Sequence, residues 1–325
     1  MKAILRTQYG PPDLLQYAEV ATPVPGDREV LIKLCAAAVN PLDLYLMKGA
    51  PWDRLPGLRR RRPMILGCDV AGRVEAVGKE VKGFQVGDEV FGVTGFKGEG
   101  FAEYVCVAEE NLGPKPDNLT FEEAAAVPVA AITALQGLRD KGRVRPGSKV
   151  LVEGASGGVG TFAVQIAKAF GADVTAVCST RNVEIARSIG ADRVIDYSKE
   201  DFTRNAQRYD LILGANAHHS IFAYRRLLAD DGVYVAAGGG LPQIFEAFVL
   251  APVLSRMGRK KMGFFLTKVT RKDLDFMKYL LESGKVVPVI DRRYRLSEAA
   301  EALRYLAEGH AQGKIVLTVS HRLDI

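Results

Sequence analysis

The chain has little of what marks specialised classes of protein. Only four of its 325 residues are cysteine and none forms a CxxC pair, so neither a disulfide scaffold nor a structural zinc site is expected. Its longest apolar stretch, Ile244 to Leu254, is interrupted by Glu246 and Pro252 and is shorter than the roughly 18 to 20 residues of a membrane span. No segment is low in complexity. A globular protein remains, and its length favours two domains.

Charge does not identify a partner. Lys and Arg number 44 against 38 Asp and Glu, and a net charge of +6 is compatible with an anionic coenzyme, nucleic acid or a lipid surface. The basic run Arg59 to Arg62 lacks interleaved aromatics, so we expect no nucleic-acid binding. This basic run and the segment Met257 to Phe265 could form solvated loops, or they could make peripheral contact with an anionic membrane. The opening MKAILRTQYG shows neither an apolar signal core nor an Arg-rich presequence, which predicts a cytoplasmic protein.

The pattern of elements changes along the chain. Short alternating strands such as Glu29 to Val39 and Asp88 to Val93 are separated by glycine-rich turns, which is typical of a small barrel or sandwich. After a helical stretch from Ala124 to Arg139, apolar strands alternate with helices and predict a parallel sheet covered on both faces. The pattern is mixed again from residue 267, and this last part is expected to pack on the first domain.

A glycine-rich turn follows the first strand of the predicted parallel sheet. The strand Val150 to Glu153 leads into Gly154-Ala155-Ser156-Gly157-Gly158-Val159-Gly160 and then into a helix. Glycines permit a tight turn, close approach to a pyrophosphate and close helix packing, while helix N–H groups face the anion. The preceding strand, the following helix and a second strand ending about 20 residues on distinguish such a site from an ordinary turn. The sequence predicts that a dinucleotide is bound by Gly154, Ser156, Gly157, Gly158, Val159 and Gly160.

The end of the second strand indicates which dinucleotide. An NAD enzyme usually places Asp or Glu there to accept from the ribose 2'-hydroxyl, whereas a 2'-phosphate calls for cations and hydroxyls. Here the strand is followed by Ser179-Thr180-Arg181-Asn182, with no acid at its tip. Ser179 can donate to a phosphate and Arg181 can pair with it, so we predict NADP(H). The alternative is that Arg181 is a solvated loop cation.

Several motifs resemble one superfamily over essentially the whole chain. The spacing Gly72-x-Val74-x-x-Val77-Gly78, continued to Gly87-Asp88-x-Val90 and followed by the glycine turn, resembles the medium-chain dehydrogenase/reductases. Asn40-Pro41-Leu42-Asp43 and Gly309 to Lys314 resemble the zinc-free quinone oxidoreductase and alkenal/enone reductase branch, and Cys178 to Glu184 is similar to its chloroplast-envelope group. The resemblance implies an α/β protein with a GroES-like β-barrel domain, residues 1–123 and 267–325, and a Rossmann domain with a doubly wound parallel sheet, residues 124–266.

The resemblance also implies roles for individual residues. Ser179, Arg181 and Tyr197 would surround the 2'-phosphate, and Lys314 would reach the coenzyme from the GroES-like domain. Thr133 with Gly238, Gly239 and Gly240 would line the nicotinamide half. Tyr197 could instead cover a strand edge and Lys314 could be a solvated strand cation. His218 and His219 are either loop histidines or contacts to the nicotinamide ribose. Similar proteins often dimerise through the Rossmann sheet edge, so a homodimer is expected by analogy.

A catalytic zinc is not expected. Zinc-dependent members place Cys and Gly-His-Glu where this chain has Asn40-Pro41 and Gly67-Cys68-Asp69, so the ligand set is incomplete. Without a Lewis acid, the favoured substrates are electrophiles that need less activation, such as quinones and α,β-unsaturated carbonyls.

Three residues near the N-terminal motif are candidates for the chemistry. Tyr45, read as lying on the loop after Asn40-Pro41, is the candidate proton donor because a phenol keeps its proton at neutral pH. Asn40 could orient substrate or ribose, and Asp43 could fix the loop. Alternatively, Tyr45 only packs against the site and water supplies the proton. A non-catalytic NADPH-binding protein of the same fold remains the second hypothesis for the whole chain.

Overall fold

The structure is a computed structural model that describes residues 1–49, 63–95, 98–204 and 206–319, and these form two compact units. The first unit takes its residues from Met1–Val129, Val269–Glu282 and Pro288–Ile325, and the second from Ala130–Lys268 and Ser283–Val287. The sequence predicts boundaries at 123/124 and 266/267, whereas the units divide at 129/130 and 268/269, and Ser283–Val287 also belongs to the second unit. The basic run Arg59 to Arg62 lies outside the described residues.

The first unit is built mainly from antiparallel strands. A seven-stranded sheet has the order β15-β16-β3-β5-β6-β8, with β7 also paired to β3, and a small sheet has the order β2-β1-β4. The strands are β1 (Lys2–Arg6), β2 (Leu15–Glu19), β3 (Glu29–Val39), β4 (Met64–Ile65), β5 (Asp69–Val77), β6 (Glu89–Val93), β7 (Tyr104–Ala108), β8 (Leu112–Pro114), β15 (Ile290–Arg295) and β16 (Lys314–Thr318). Burial alternates only in the middle of β3, where Ile32 and Leu34 are buried and Lys33 is partly exposed; Leu31 and residues 36–39 are buried as well.

The C-terminal strand joins the N-terminal part of the chain. β16 runs antiparallel to β3, with Ile315 opposite Val39. The helices α8 (Arg271–Glu282) and α9 (Ala299–Ala307) also belong to this unit. This pairing places Lys314 beside the end of β3, and hence near Asn40.

Two predicted elements are corrected. The segment after Asn40 is the helix α1 (Pro41–Lys48), not a loop: Pro41 occupies its first turn, and Asn40 and Asp43 form a capping box. The single helix predicted over 124–139 is divided into α2 (Phe121–Ala125), α3 (Pro128–Gln136) and a π-helical turn, Gly137–Lys141. The division falls before Pro128 because proline disfavours helical geometry in the preceding residue and lacks an N–H donor.

The second unit is a parallel sheet with helical connections. Its six strands have the order β11-β10-β9-β12-β13-β14, and every pairing is parallel. The strands are β9 (Lys149–Glu153), β10 (Asp173–Cys178), β11 (Arg193–Asp196), β12 (Tyr209–Gly214), β13 (Leu228–Ala236) and β14 (Lys261–Phe264); the helices are α4 (Gly158–Ala169), α5 (Val183–Ser188), α6 (Ile221–Leu227) and α7 (Leu241–Arg256). The order reverses between β9 and β12, so the carboxyl ends of these strands form the point where ligands bind in such sheets. Among the described residues, none of the helices has the length and apolar character needed to cross a bilayer.

Candidate active site

The glycines of the turn between β9 and α4 have separate structural functions. Gly154 has a φ of +75°, and a Cβ there would lie 2.8 Å from Cβ of Asn216. A Cβ at Gly160 would collide with the Gly154 carbonyl oxygen, so this glycine permits close packing of α4 on the turn. A Cβ at Gly157 would meet only the Gly154 carbonyl oxygen, at 3.5 Å, which leaves the outer side of the turn open. These are the functions that a dinucleotide turn requires of its glycines.

The helix after the turn begins without a capping side chain. Gly157 is the N-cap of α4, and no described side chain accepts from its first N–H groups. The N–H groups of Gly158, Val159 and Gly160 fall in this first turn, where backbone donors lack partners within the helix. With the helix dipole, they suit an anion such as a diphosphate.

A cavity of about 580 Å³ opens at the carboxyl ends of β9, β11 and β12. It is lined by Glu153, Gly154, Tyr197, Ser198, Lys199, Glu200, Asp201, Phe202, Asn216, His218 and His219. Its volume falls in the range of small-molecule sites. Its place at the reversal of strand order is the one that dinucleotides occupy in this kind of sheet. The cavity brings the predicted residues Gly154 and Tyr197 together.

The predicted 2'-phosphate residues lie after β10 and β11. Tyr197 lines the cavity and is 58% exposed, and its contact with a 2'-phosphate stays a prediction. Ser179 follows β10, and Arg181 is an exposed residue of the short 3-10 turn Thr180–Asn182. Asp196, at the end of β11, accepts hydrogen bonds from Thr180 Oγ1 at 2.6 Å and Ser198 N at 3.0 Å. The Thr180 hydrogen bond lowers the pKa of Asp196, and its charge is thus engaged within the protein.

A buried carboxyl group lies at the end of β9, where the sequence alone predicts no functional residue. Glu153 is only 5% exposed, and Tyr224 donates a 2.5 Å hydrogen bond to its Oε2 atom. The Tyr224 hydroxyl oxygen in turn accepts from the backbone N–H groups of His218 at 3.2 Å and His219 at 3.0 Å. Burial raises the pKa of Glu153 to about 7, against the lowering effect of the Tyr224 hydrogen bond. The only local signal was a carboxyl residue ending a continuous apolar strand.

His218 and His219 line the cavity, and the Tyr224 hydroxyl fixes their backbone by accepting from both of their N–H groups. The ring of His219 packs edge-on against Phe202, with the ring centres 4.9 Å apart. Burial lowers the pKa of His219, which favours the neutral form of its ring. Contact of either histidine with the nicotinamide ribose stays a prediction.

The residues predicted for the nicotinamide half lie in the second unit. Thr133 Oγ1 on α3 is 2.7 Å from Thr267 Oγ1. Gly238 follows β13, and a Cβ there would collide with the carbonyl oxygen of Ala215. Gly239 has a φ of +141°, and Gly240 is the N-cap of α7. The backbone needs glycine at 238 and 239 for its own geometry, and the predicted coenzyme contacts of all four residues stay predictions.

The first unit contains a buried polar cluster. The Nζ atom of Lys314 lies 2.7 Å from Asn40 Oδ1, 3.3 Å from Asp69 Oδ2 and 3.4 Å from the Val39 carbonyl oxygen. Lys314 is 3% exposed, which overturns the alternative of a solvated strand cation. The Nδ2 atom of Asn40 donates to Asp69 Oδ2 at 3.0 Å, so both ends of this amide have protein partners. The roles predicted for Lys314 and Asn40 toward coenzyme or substrate stay predictions.

Asp43 ties this cluster to α1. Its carboxylate accepts from the backbone N–H of Asn40 at 2.8 Å and from that of Gly67 at 3.0 Å. The side chain is fully buried, and burial raises its pKa to about 7 despite these two hydrogen bonds. The two hydrogen bonds of the Asp43 carboxylate hold the first turn of α1 against Gly67. Tyr45, on the same helix, is 49% exposed.

The cluster does not fit a catalytic zinc. Cys68 is buried, and desolvation raises the pKa of its thiol, which opposes the thiolate that zinc requires. The carboxylate of Asp69 already pairs with Lys314, and the amide of Asn40, which is not among the usual zinc ligands, is bonded to both of these residues. Throughout the part of the chain that the structure describes, no three His, Cys, Asp or Glu side chains are grouped as metal ligands. No step is therefore assigned to a metal.

Comparison with known proteins agrees with this architecture. Residues 26–117 match the family described as alcohol dehydrogenase GroES-like domain, and residues 189–317 match zinc-binding dehydrogenase. A chloroplast envelope quinone oxidoreductase homolog of Arabidopsis thaliana is 35% identical over 313 residues, 93% of each protein. The NADPH-dependent alkenal/one oxidoreductase, chloroplastic, of the same plant is 34% identical over 98% of this chain and 79% of its own. The solved quinone oxidoreductase of Coxiella burnetii has a TM-score of 0.87 and 30% identity, covering 98% of this chain and 99% of that one.

The fold and the site thus define an oxidoreductase with a GroES-like domain and a Rossmann-type parallel sheet, as the sequence predicted. Its relatives include quinone and alkenal/one oxidoreductases. The chain belongs to the medium-chain dehydrogenase/reductase superfamily.

Proposed function

We propose that the protein is a zinc-independent, NADPH-dependent reductase of quinones or of the C=C bond of α,β-unsaturated carbonyls. The observation that carries the coenzyme half is the end of β10, where Ser179 and Arg181 take the place of the acid typical of NAD enzymes. The substrate half is supported by relatives named for quinone and alkenal/one reduction.

The chain offers binding groups for each phosphate of this coenzyme. The turn from Gly154 to Gly160 and the first N–H groups of α4 suit the diphosphate. Ser179, Arg181 and Tyr197 are proposed to hold the 2'-phosphate, with the planar guanidinium supplying the charge. When bound, the reduced nicotinamide supplies a hydride.

The protein contributes position and a proton. Reduction of a conjugated carbonyl leaves negative charge on oxygen, which a nearby O–H group stabilises and then neutralises. We assign that proton to Tyr45, which lies on α1 with its side chain 49% exposed. The buried carboxylate of Asp43 supports the start of that helix by accepting from the backbone N–H of Asn40, whose side-chain amide donates to Asp69.

A substrate panel with product identification tests the proposal. Purified protein is incubated with NADPH and either a quinone or an enal, and products are identified by mass spectrometry. A hydroquinone or a saturated carbonyl supports the proposal and distinguishes the two reactions. If NADPH binds in calorimetry but no member of the panel is reduced, the proposal fails and a non-catalytic NADPH-binding protein is favoured.

A further inference from the structure

One buried side chain connects the two segments assigned to the coenzyme phosphates. The Nδ2 atom of Asn182 lies 2.8 Å from Ser156 Oγ and 3.1 Å from Ser179 Oγ. Asn182 is 5% exposed and Ser156 is 8% exposed. Ser156 belongs to the glycine turn after β9, whereas Ser179 follows β10, so the amide joins the carboxyl ends of two adjacent strands.

The direction of these hydrogen bonds determines what the serines can do. An amide NH₂ group has two N–H donors and no acceptor, so both serine oxygens accept from Asn182. Each hydroxyl has one hydrogen, which is then directed away from Asn182. Both serines are thereby held as donors, which is the form that an anionic phosphate binds.

The backbone of Asn182 belongs to the 3-10 turn Thr180–Asn182, which leads directly into α5. Its Nδ2 atom is directed to the two serines, so the side chain holds their hydroxyl groups at the ends of β9 and β10.

We propose that Asn182 is a positioning and specificity-determining residue, which orients Ser156 as a donor to the coenzyme diphosphate and Ser179 as a donor to the 2'-phosphate. The role proposed for Ser179 rests on the proposed use of NADPH. The role proposed for Ser156 does not, because every nicotinamide dinucleotide carries a diphosphate.

The test measures dissociation constants of NADPH and NADH by calorimetry for Asn182→Ala, Asn182→Asp and the parent protein. Hydrogen bonds to charged groups are worth enough that losing one oriented donor weakens binding roughly tenfold. Asn182→Ala should weaken NADPH more than NADH, since only NADPH uses both serines. Asn182→Asp should weaken both coenzymes further because its carboxylate accepts from the serines and reverses their direction. Asn118→Asp, an exposed site in the first unit whose amide donates to the Leu281 carbonyl oxygen, controls for added charge.

A double-mutant cycle separates orientation from simple charge repulsion. If Asn182 acts through the serines, Asn182→Asp should cost much less in a protein already carrying Ser156→Ala and Ser179→Ala. An equal cost in both backgrounds overturns the proposal, as does an Asn182→Ala protein that binds both coenzymes normally. If the parent protein prefers NADH, the proposed coenzyme is wrong, yet the effect of Asn182→Ala on NADH still decides the role proposed for Ser156. Should Asn182→Asp fail to fold, the Asn182→Ala result stands alone.

Discussion

Tyr224 donates a 2.5 Å hydrogen bond to Glu153, and this buried pair joins α6 to the carboxyl end of β9 immediately before the glycine turn. The ring of Tyr224 also stacks on Tyr234, with centres 4.4 Å apart. Because the same hydroxyl accepts from the His218 and His219 N–H groups, the pair fixes one wall of the cavity. We therefore expect the protonation state of Glu153 to affect coenzyme binding at the proposed site.

The KM for the coenzyme should rise as pH increases through about 7. Burial raises the pKa of Glu153 to about 7, so the side chain is neutral below that pH and becomes an anion next to the proposed diphosphate site above it. In Glu153→Gln the rise should be absent, because the amide does not ionise but can still accept from Tyr224. The measurement is KM for NADPH from roughly pH 5.5 to 8.5, spanning the titration. If KM rises with pH in Glu153→Gln as it does in the parent protein, a group other than Glu153 is responsible.

The stability of the folded protein should depend on the ion pair between Lys314 and Asp69. Lys314→Met leaves a buried carboxylate without its cation, and breaking such a pair by removing one partner typically costs about 3 to 5 kcal/mol. Lys314→Met with Asp69→Asn should recover much of that loss, since no charge is then left buried. Thermal unfolding of the two variants and the parent protein checks this. Equal unfolding temperatures for the parent and Lys314→Met would show that the pair contributes nothing.

Tyr45→Phe should lower kcat for an enone by roughly a hundredfold, the lower range for losing a general acid, with less effect on the coenzyme KM. Tyr17→Phe is a matched control, because Tyr17 is also 49% exposed but lies on β2. Single-turnover measurements with one enone determine whether the chemical step is slowed. Normal turnover in Tyr45→Phe would remove this residue from proton transfer and leave water as the donor.

Arg181→Ala should raise the KM for NADPH roughly tenfold and leave the KM for NADH nearly unchanged, since the loss of one charge-assisted contact affects only the coenzyme with a 2'-phosphate. Arg187→Ala provides the control: this exposed arginine of α5 pairs with Glu184 nearby in sequence. An equal effect of Arg181→Ala on both coenzymes would place the guanidinium away from the 2'-phosphate.

The sequence predicted the elements whose local pattern is strong. The bounds of β3 agree with its alternation, and β9, the glycine turn and α4 follow one another as predicted. By contrast, α7 was not predicted, because Phe245 and Phe248 are about 70% exposed and give this helix no clear polar face. The helix α1 was missed although Asn40, Pro41 and Asp43 form its capping signature.

The sequence predicted only the parts of the site that are formed by residues adjacent in the chain. The glycine turn is continuous in sequence, and its context identified it. The pairs Glu153 with Tyr224 and Asp69 with Lys314 join residues far apart in the chain, and neither has a sequence pattern that would link them. Asn182 was visible in the segment after β10, but its bonds to Ser156 and Ser179 depend on how adjacent parallel strands end together.

The most direct test of the account is the kcat/KM of chelator-dialysed protein with NADPH and with NADH, using one quinone or enone that it reduces. We predict that NADPH is preferred at least tenfold, the value expected from one charge-assisted phosphate contact, and that added Zn²⁺ does not increase the rate. Equal or better efficiency with NADH, or activity that appears only when Zn²⁺ is restored, would contradict it.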